Sequence, residues 1–264
     1  MATAHLGSLL VITEDSGADG HATILAVVKR MLQLVVPDYQ THRLGFEPKD
    51  PQAQAALQGT GWKNKSKDPK AQFDRTMALR VIATKLGRKD GFVLFHIDGD
   101  RTWNERKSSE NVELFKERVI ESVRKIFIQL LLNSAQDAEA KLRRLLPVVP
   151  FYSIESWLYQ HTEVAIRLCR DNYQDRDIAK FKEWSQTRTA LDDIAQPKGS
   201  KTSEPVVCLR DRHNLECAGP GYPAQAVFAA DRSYAACVRD LQACAELRAL
   251  LDATAGRVEG EPRE

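Results

Sequence analysis

The stretch GFVLFHIDGD, residues 91–100, starts with apolar residues and ends in two carboxylates, Asp98 and Asp100. A continuous apolar run bounded by glycine and charged residues is typical of a β-strand that is covered on both faces. A second run of this kind, SLLVIT at residues 8–13, is followed directly by Glu14 and Asp15. The sequence therefore predicts two buried strands that each deliver acidic side chains at the carboxyl end.

Helix and strand patterns alternate around these two runs. Apolar residues at helical spacing predict a helix over about residues 20–36, and a short strand over about 41–46 follows. After the polar residues 47–70, which we expect to form a long exposed excursion, a second helix is predicted over about 71–87. The order strand, helix, strand, helix, strand is typical of an α/β fold, with a parallel sheet flanked by helices.

The second half of the chain is predicted to be mostly helical. A long helix is expected from about residue 110 to 133, and the apolar segment LLPVVPF at residues 145–151 indicates an edge strand because of its two prolines. We therefore expect a sheet domain over residues 1–160 and a helical C-terminal region over residues 161–264.

Composition indicates a soluble globular protein. The 264 residues carry a formal net charge of only +2, so a nucleic-acid footprint would have to be a local basic patch. No apolar run approaches the ~20 residues of a membrane span, and the N-terminus, which lacks a basic leader, is predicted to be a strand and not a signal peptide. We expect a cytoplasmic protein with no membrane partner.

The five cysteines form no CxxC pair, and their odd number argues against a disulfide framework. Cys208, His213 and Cys217 fall close together, and with Cys237 or Cys244 they could form a zinc site. Because this spacing matches no common zinc finger, we expect buried thiols in a reducing cytoplasm.

The acidic side chains at the strand ends predict a metal site. Ligands of open α/β sheets bind outside the carboxyl ends of the strands, where Glu14, Asp98 and Asp100 are expected to meet. Carboxylates gathered in this way raise one another's pKa unless a cation neutralises them, and oxygen-only ligation suits Mg²⁺ or Mn²⁺. Gly99 would let both acids of the DGD motif turn toward one ion. At one junction alone, such residues are explained as turn formers.

Three motifs, VITED at residues 11–15, HIDGD at 96–100 and SIESWLY at 153–159, resemble in order and spacing the Toprim fold of OLD-type and RloB-like nucleases. The resemblance covers about residues 8–160. Residues 222–251 are more loosely similar to the C-terminal helices of RloB-like proteins.

The resemblance implies roles for individual residues. Glu14 would be a general acid/base or a metal ligand, Asp98 and Asp100 would bind Mg²⁺, and Glu155 would complete the metal shell, with Trp157 as a packing residue.

The sequence departs from the family pattern in two places. Asp15 stands where the family has glycine, and Ala18 stands where the family has a further acid, a role that Asp15 or Asp19 could take. The family's basic residue at the scissile phosphate would correspond to Lys201 or Lys198.

The function that the resemblance implies is an Mg²⁺-dependent nuclease, the effector of an anti-phage defence system that works with an ABC-type ATPase. The chain contains no GxxxxGK[ST] motif, so the ATPase would be a separate polypeptide, which we expect the C-terminal helices to bind. Local basic residues would bind the DNA or RNA backbone, with Trp62 as a stacking ring. These residues are Lys63, Lys65, Lys67, Lys70 and Arg101.

Two other functions fit part of the sequence. A non-catalytic Toprim-like binding or assembly subunit of an ATPase complex is favoured by Asp15. A response-regulator-like phosphoacceptor also uses acids and Mg²⁺ at strand ends, but the DGD and E-x-W motifs argue against it. His96, on a strand expected to be buried, is interpreted as a core histidine and not as a ligand.

Overall fold

The structure is a computed structural model that describes residues 5–46, 51–63, 66–187, 191 and 207–255. Within these residues, four parallel strands form one sheet in the order β2-β1-β3-β4. The strands are β1 (Gly7–Thr13), β2 (Leu44–Phe46), β3 (Gly91–His96) and β4 (Leu145–Val148). The predicted α/β class and the edge position of the proline-containing strand are confirmed, and the arrangement is consistent with a Toprim-like fold.

Helices flank the sheet in the first part of the chain. They are α1 (Gly20–Val35), α2 (Pro51–Leu57), α3 (Pro69–Gly87), α4 (Glu110–Phe115), α5 (Glu121–Lys125) and α6 (Ala135–Leu142). Two π-helical turns continue α4 and α5 into one long helix that ends at Leu130. The Asp68 side chain accepts hydrogen bonds from the first amides of α3, and Ser109 caps α4 in the same way through Val112 N.

Short and medium helices make up most of the described C-terminal part. They are α7 (Glu155–Leu158), α8 (Thr162–Tyr173), α9 (Ile178–Gln186), α10 (Asn214–Cys217), α11 (Ala224–Ala229), α12 (Ser233–Ala243) and α13 (Ala245–Ala255). None of the helices in the described ranges has the length and apolarity needed to cross a membrane.

Buried apolar side chains cover both faces of the sheet, because successive residues of a strand point to opposite sides. Leu10 and Ile12 of β1 belong to a cluster with α2, α3, α5 and α6. Leu9 and Val11 belong to a second cluster that contains α1 and buried residues of α8 to α13. The described residues of the C-terminal region therefore form, with α1, the layer on one face of the sheet.

The last helix is tied closely to the strands. A side chain at Gly7 of β1 would collide with Leu250 of α13, whose Cδ2 lies 2.7 Å from the position of the added Cβ. Arg43 Nη1 donates to the carbonyl oxygen of Thr254 at 3.1 Å, and Gln40 N donates to its hydroxyl at 3.3 Å. These contacts join the end of the described chain to the segment that leads into β2.

The cysteines correct one expectation from the sequence. Cys169 of α8 and Cys208 are joined in a disulfide, with 6.4 Å between their Cα atoms. The expectation of thiols is therefore wrong for this pair, because packing brings two residues distant in sequence together. The zinc alternative that uses Cys208 does not form. Cys217, Cys237 and Cys244 are buried thiols, as predicted.

The shared core leads to a stability prediction. Leu247 of α13 is fully buried in the cluster that contains Leu9, so Leu247→Ala should lower the free energy of unfolding by about 2–5 kcal/mol. Arg248→Ala, on a side chain that is 63% exposed, should change it by less than about 0.5 kcal/mol. Chemical unfolding, followed separately in the sheet and in the C-terminal helices, measures the effect of both substitutions. Two separate transitions, with only one shifted by Leu247→Ala, would contradict a shared core.

Candidate active site

The three segments that carry the predicted acids end at the same edge of the sheet. Glu14 N donates to the carbonyl oxygen of His96 at 3.1 Å, and Ile97 N donates to that of Val148 at 3.1 Å, so the strands are still paired where they end. A further parallel bridge joins Gly99 to Phe151. Glu155, the first residue of α7, follows this bridge after three residues.

Both carboxylate oxygens of Glu14 are held by donors. Asp98 N donates to Oε1 at 2.6 Å, and the indole Nε1 of Trp62 donates to Oε2 at 2.7 Å. Burial raises the pKa of Glu14 above its ordinary value, and the charge of Asp98 raises it further, although His96 and the two hydrogen bonds oppose the shift. Glu14 is therefore a fixed acidic group with an increased preference for its protonated form.

Trp62 has a different role from the predicted one. Its side chain is fully buried, so it is not available as a stacking ring. The described part of residues 47–70 is not simply an exposed excursion either: Gln54 is buried and donates to Thr13 O, and Gly59 N donates to Glu14 O at 2.6 Å. The described part of this segment therefore folds back onto the end of β1, where it supplies hydrogen-bond donors to main-chain carbonyl groups.

Asp98 lies between the ends of β3 and β4. Its Oδ1 accepts a hydrogen bond from Ile154 N at 3.2 Å and lies 3.4 Å from His96 Nε2. The Asp98 side chain is 34% exposed, which leaves it accessible from solvent. Its partial burial raises its pKa, His96 lowers it, and the charges of Glu155 and Asp15 raise it again, with a net upward shift.

Glu155 is buried in the interior, with 3% of its surface exposed. Asn214 Nδ2, from α10 in the C-terminal region, donates to its Oε1 at 2.9 Å. Its charge raises the pKa of Asp98 and also that of the buried Tyr159, so Glu155 is electrostatically part of this cluster. Trp157, the predicted packing residue, is fully buried. Nothing in the local sequence around Asn214 indicates its contact with Glu155.

The Asp100 carboxylate is hydrogen-bonded to the start of α4. Its Oδ1 accepts from Ser109 Oγ at 2.7 Å, and its Oδ2 accepts from Glu110 N at 3.3 Å. Gly99 is explained by the close approach of Phe151, whose Cδ1 would lie 2.9 Å from a Cβ at that position. Asp98 and Asp100 thus have different hydrogen-bond partners, and no contact in the described residues supports the shared ion that we expected Gly99 to allow.

The two alternatives for a further acid are placed differently. Asp19 is exposed at the position before α1, and its side chain makes no capping hydrogen bond there. Asp15 accepts a hydrogen bond from Gly17 N at 2.8 Å through Oδ1, and its charge raises the pKa of Asp98. Asp15 is thus the alternative that the structure brings near the carboxylate cluster.

The candidate nucleic-acid contacts are partly outside the described residues. Lys65, Lys198 and Lys201 lie there, so the structure gives no position for them. Lys63 Nζ lies over the Trp62 ring at 5.1 Å from its centroid, and Lys67 is exposed before α3. Arg101 Nη2 lies 3.6 Å from Glu110 Oε1, in an exposed ion pair. Among the predicted basic residues, Lys63 is therefore linked to the candidate site through Trp62, which donates to Glu14.

The donor set fits a hard divalent cation in its chemistry. Within the ranges that the structure describes, no three His, Cys, Asp or Glu side chains are arranged to hold a metal ion as they stand. Glu14, Asp98 and Glu155 nevertheless supply only carboxylate oxygens, the ligands that Mg²⁺ and Mn²⁺ prefer. Burial is the first cause of the raised pKa values of Glu14 and Asp98, and neighbouring carboxylates add to it; a bound cation would offset both effects. Binding of one ion by all three would require side chains to turn toward it.

Comparison of the chain with protein-family models, with curated proteins and with solved structures finds no match. The resemblance to Toprim nucleases therefore rests on the three motifs, and it stays a prediction.

The electrostatics of the site give a pH-dependent prediction for Asp98→Asn, which keeps an oxygen for the Ile154 amide but removes the charge. The pKa of Glu14 should fall, because the Asp98 charge raises it. An acid whose folded-state pKa is raised destabilises the fold when ionised, so the metal-free variant should be no less stable than the wild type at pH 7.

The difference in the free energy of unfolding between Asp98→Asn and the wild type should shrink as the pH falls. It shrinks through the raised pKa values toward the ordinary carboxyl range of about 4. Carboxyl NMR titration and chemical unfolding at several pH values measure both effects. A large loss of stability at pH 7 would instead indicate that Asp98 is a structural turn former.

Asp100→Asn is the control for Asp98→Asn, because it removes a carboxylate charge in the same way. Because the Asp100 carboxylate accepts hydrogen bonds at the start of α4, its replacement should lower the free energy of unfolding by about 0.3–1 kcal/mol. Mn²⁺ affinity, measured by calorimetry, should stay close to that of the wild type. A loss of Mn²⁺ binding as large as that in Asp98→Asn would place Asp100 among the ligands.

Proposed function

We propose that this chain is an Mg²⁺-dependent nuclease that hydrolyses phosphodiester bonds in DNA or RNA. The observation that carries the proposal is the hydrogen bond that joins Glu14 to Asp98 at the carboxyl edge of a parallel sheet, where the charge of Glu155, from a third segment, also acts on Asp98. Ligand sites of open α/β sheets lie at this edge. The order of the three motifs supports the same activity through their resemblance to Toprim nucleases.

Each of the three acids has a distinct environment that suits a role in hydrolysis. Glu14, Asp98 and Glu155 would hold the ion, which would activate water and stabilise the charge that develops on the phosphate. Trp62 and the Asp98 amide orient Glu14, and Asn214 orients Glu155. In the alternative role of general acid/base, in which Glu14 would not bind the ion, its raised pKa would favour the acceptance and release of a proton.

The proposal includes a cytoplasmic role in anti-phage defence with a separate ABC-type ATPase, which rests on the resemblance of the motifs. The described part of the C-terminal region, which we expected to bind this partner, contributes to the core through residues such as Leu247 and Leu251. A deletion of residues 222–264 would expose that core, so binding of the ATPase has to be tested by coexpression with the intact chain.

A non-catalytic Toprim-like binding or assembly subunit is the second candidate function. Asp15 favours it, because the family has glycine at this position. The carboxylates also do not form a closed metal-binding group as they stand in the described residues. Such a subunit would bind Mn²⁺ or nucleic acid without cleaving it, which separates it experimentally from the nuclease.

The experiment is incubation of the purified protein with plasmid, single-stranded DNA and tRNA in Mg²⁺, Mn²⁺ or EDTA. The wild type should cleave at least one of these substrates only with the metal. Glu155→Gln and Asp98→Asn should reduce the rate by about 100-fold or more, as expected for groups that stabilise charge in the transition state. Asp100→Asn, matched in chemistry, should keep most of the activity.

The outcomes separate the two candidates. Cleavage at the wild-type rate by Glu155→Gln, across a titration of Mn²⁺, would remove Glu155 from the site. Mn²⁺ binding without cleavage of any substrate would favour the non-catalytic subunit. Absence of both Mn²⁺ binding and cleavage would refute the proposed metal site.

A further inference from the structure

A chain of buried polar groups connects the end of β1 to Asp98. Thr13 and His96 are partners in the register of β1 and β3, and both are buried. Asp15 N donates to Thr13 Oγ1 at 3.0 Å, Thr13 Oγ1 lies 2.8 Å from His96 Nδ1, and His96 Nε2 lies 3.4 Å from Asp98 Oδ1. Contacts of 3.4 Å or less therefore lead from a main-chain amide to a carboxylate of the candidate site.

The direction of these contacts follows from which atoms can donate. His96 Nε2 is withdrawn from solvent, lies 3.4 Å from Asp98 Oδ1 and forms no hydrogen bond that meets the usual geometric criteria in the described part of the chain. A nitrogen lone pair facing a carboxylate oxygen would be repelled, so Nε2 carries a proton. In the neutral ring Nδ1 is then an acceptor. The Thr13 hydroxyl, whose oxygen accepts the Asp15 amide, can then donate to Nδ1.

We propose that Thr13 and His96 act together as positioning residues for Asp98. Thr13 fixes the imidazole in the form with the proton on Nε2, and that nitrogen lies 3.4 Å from Asp98 Oδ1, the same oxygen that accepts the Ile154 amide. Because both donors contact the same oxygen, Asp98 presents Oδ2 to an ion. Partners behind a ligand orient it and typically account for a 10- to 100-fold change in metal affinity. This inference rests on the proposed metal-dependent function of Asp98.

The position of His96 argues against direct binding of an ion by its ring. Its side chain has no exposed surface, whereas Asp98, directly in front of it, is 34% exposed. An ion approaching from solvent therefore reaches the carboxylate first. His96 acts through Asp98, and Thr13 acts through His96.

The first measurement uses the metal-free wild type and needs no variant. Nitrogen-15 NMR of the imidazole, at a pH beyond the end of its titration, reports which ring nitrogen of His96 carries the proton. The expected result is a proton on Nε2 and an unprotonated Nδ1. A proton on Nδ1 in the neutral ring would overturn the proposal.

The second measurement compares Thr13→Val, which keeps the shape but removes the hydroxyl, with Thr13→Ser, which keeps the hydroxyl. Thr13→Val should change the tautomer ratio of His96 and weaken Mn²⁺ binding about 10- to 100-fold by calorimetry, as for other partners behind a ligand. Thr13→Ser should keep the wild-type tautomer and affinity. A role in packing alone would leave the tautomer unchanged in both variants.

The results distinguish this inference from the proposed function. Wild-type Mn²⁺ affinity in folded Thr13→Val overturns the positioning role and leaves the metal site intact. Absence of Mn²⁺ binding by the wild type overturns both. Equal loss of affinity in Thr13→Val and Thr13→Ser, with an unchanged tautomer, assigns Thr13 to packing and also overturns the proposal.

Discussion

The hydrogen bond from Asp98 N to Glu14 Oε1, 2.6 Å long, links the ends of the two central strands and gives the site its geometry. Parallel pairing of β1 with β3 brings the residues after Thr13 and His96 side by side, so the two acids meet at one edge. Neighbouring carboxylates repel one another, and this repulsion raises their pKa values. The indole of Trp62 and the imidazole of His96 reduce this cost, and a divalent cation would reduce it further.

The C-terminal region also stabilises the segment that carries Glu155. Asn214 donates to Glu155, Trp157 Nε1 donates to Ser233 Oγ at 2.7 Å, and the Tyr222 hydroxyl donates to Trp157 O at 3.2 Å. These contacts hold α7 in its place beside the sheet. The helical layer therefore has two functions in one place: it covers the apolar face of the sheet, and it fixes the segment that delivers Glu155. An acid this far along the chain can belong to the site because β4 joins the sheet parallel to β3.

Features set by short-range patterns could be predicted from the sequence, and features set by tertiary partners could not. Apolar runs and their acidic ends predicted β1, β3 and the shared edge, and the prolines placed β4 at the edge of the sheet. Burial of Trp62 was missed, because a polar, lysine-rich neighbourhood gives no sign that one indole packs behind Glu14. The capping role of Asp100 and the contact of Asn214 with Glu155 were also missed. Each depends on a helix whose position is set by the whole fold.

The most direct measurement is the position of Mn²⁺ in crystals of the intact protein, located by its anomalous scattering. The account predicts one or two ions at the carboxyl edge of the sheet, with oxygens of Glu14, Asp98 and Glu155 at about 2 Å, the bond length of hard divalent ions with carboxylates. Asp98 should bind through Oδ2, and Asp100 should remain at the start of α4. Mn²⁺ bound elsewhere, or saturating Mn²⁺ that leaves these three carboxylates without a metal, would contradict the account.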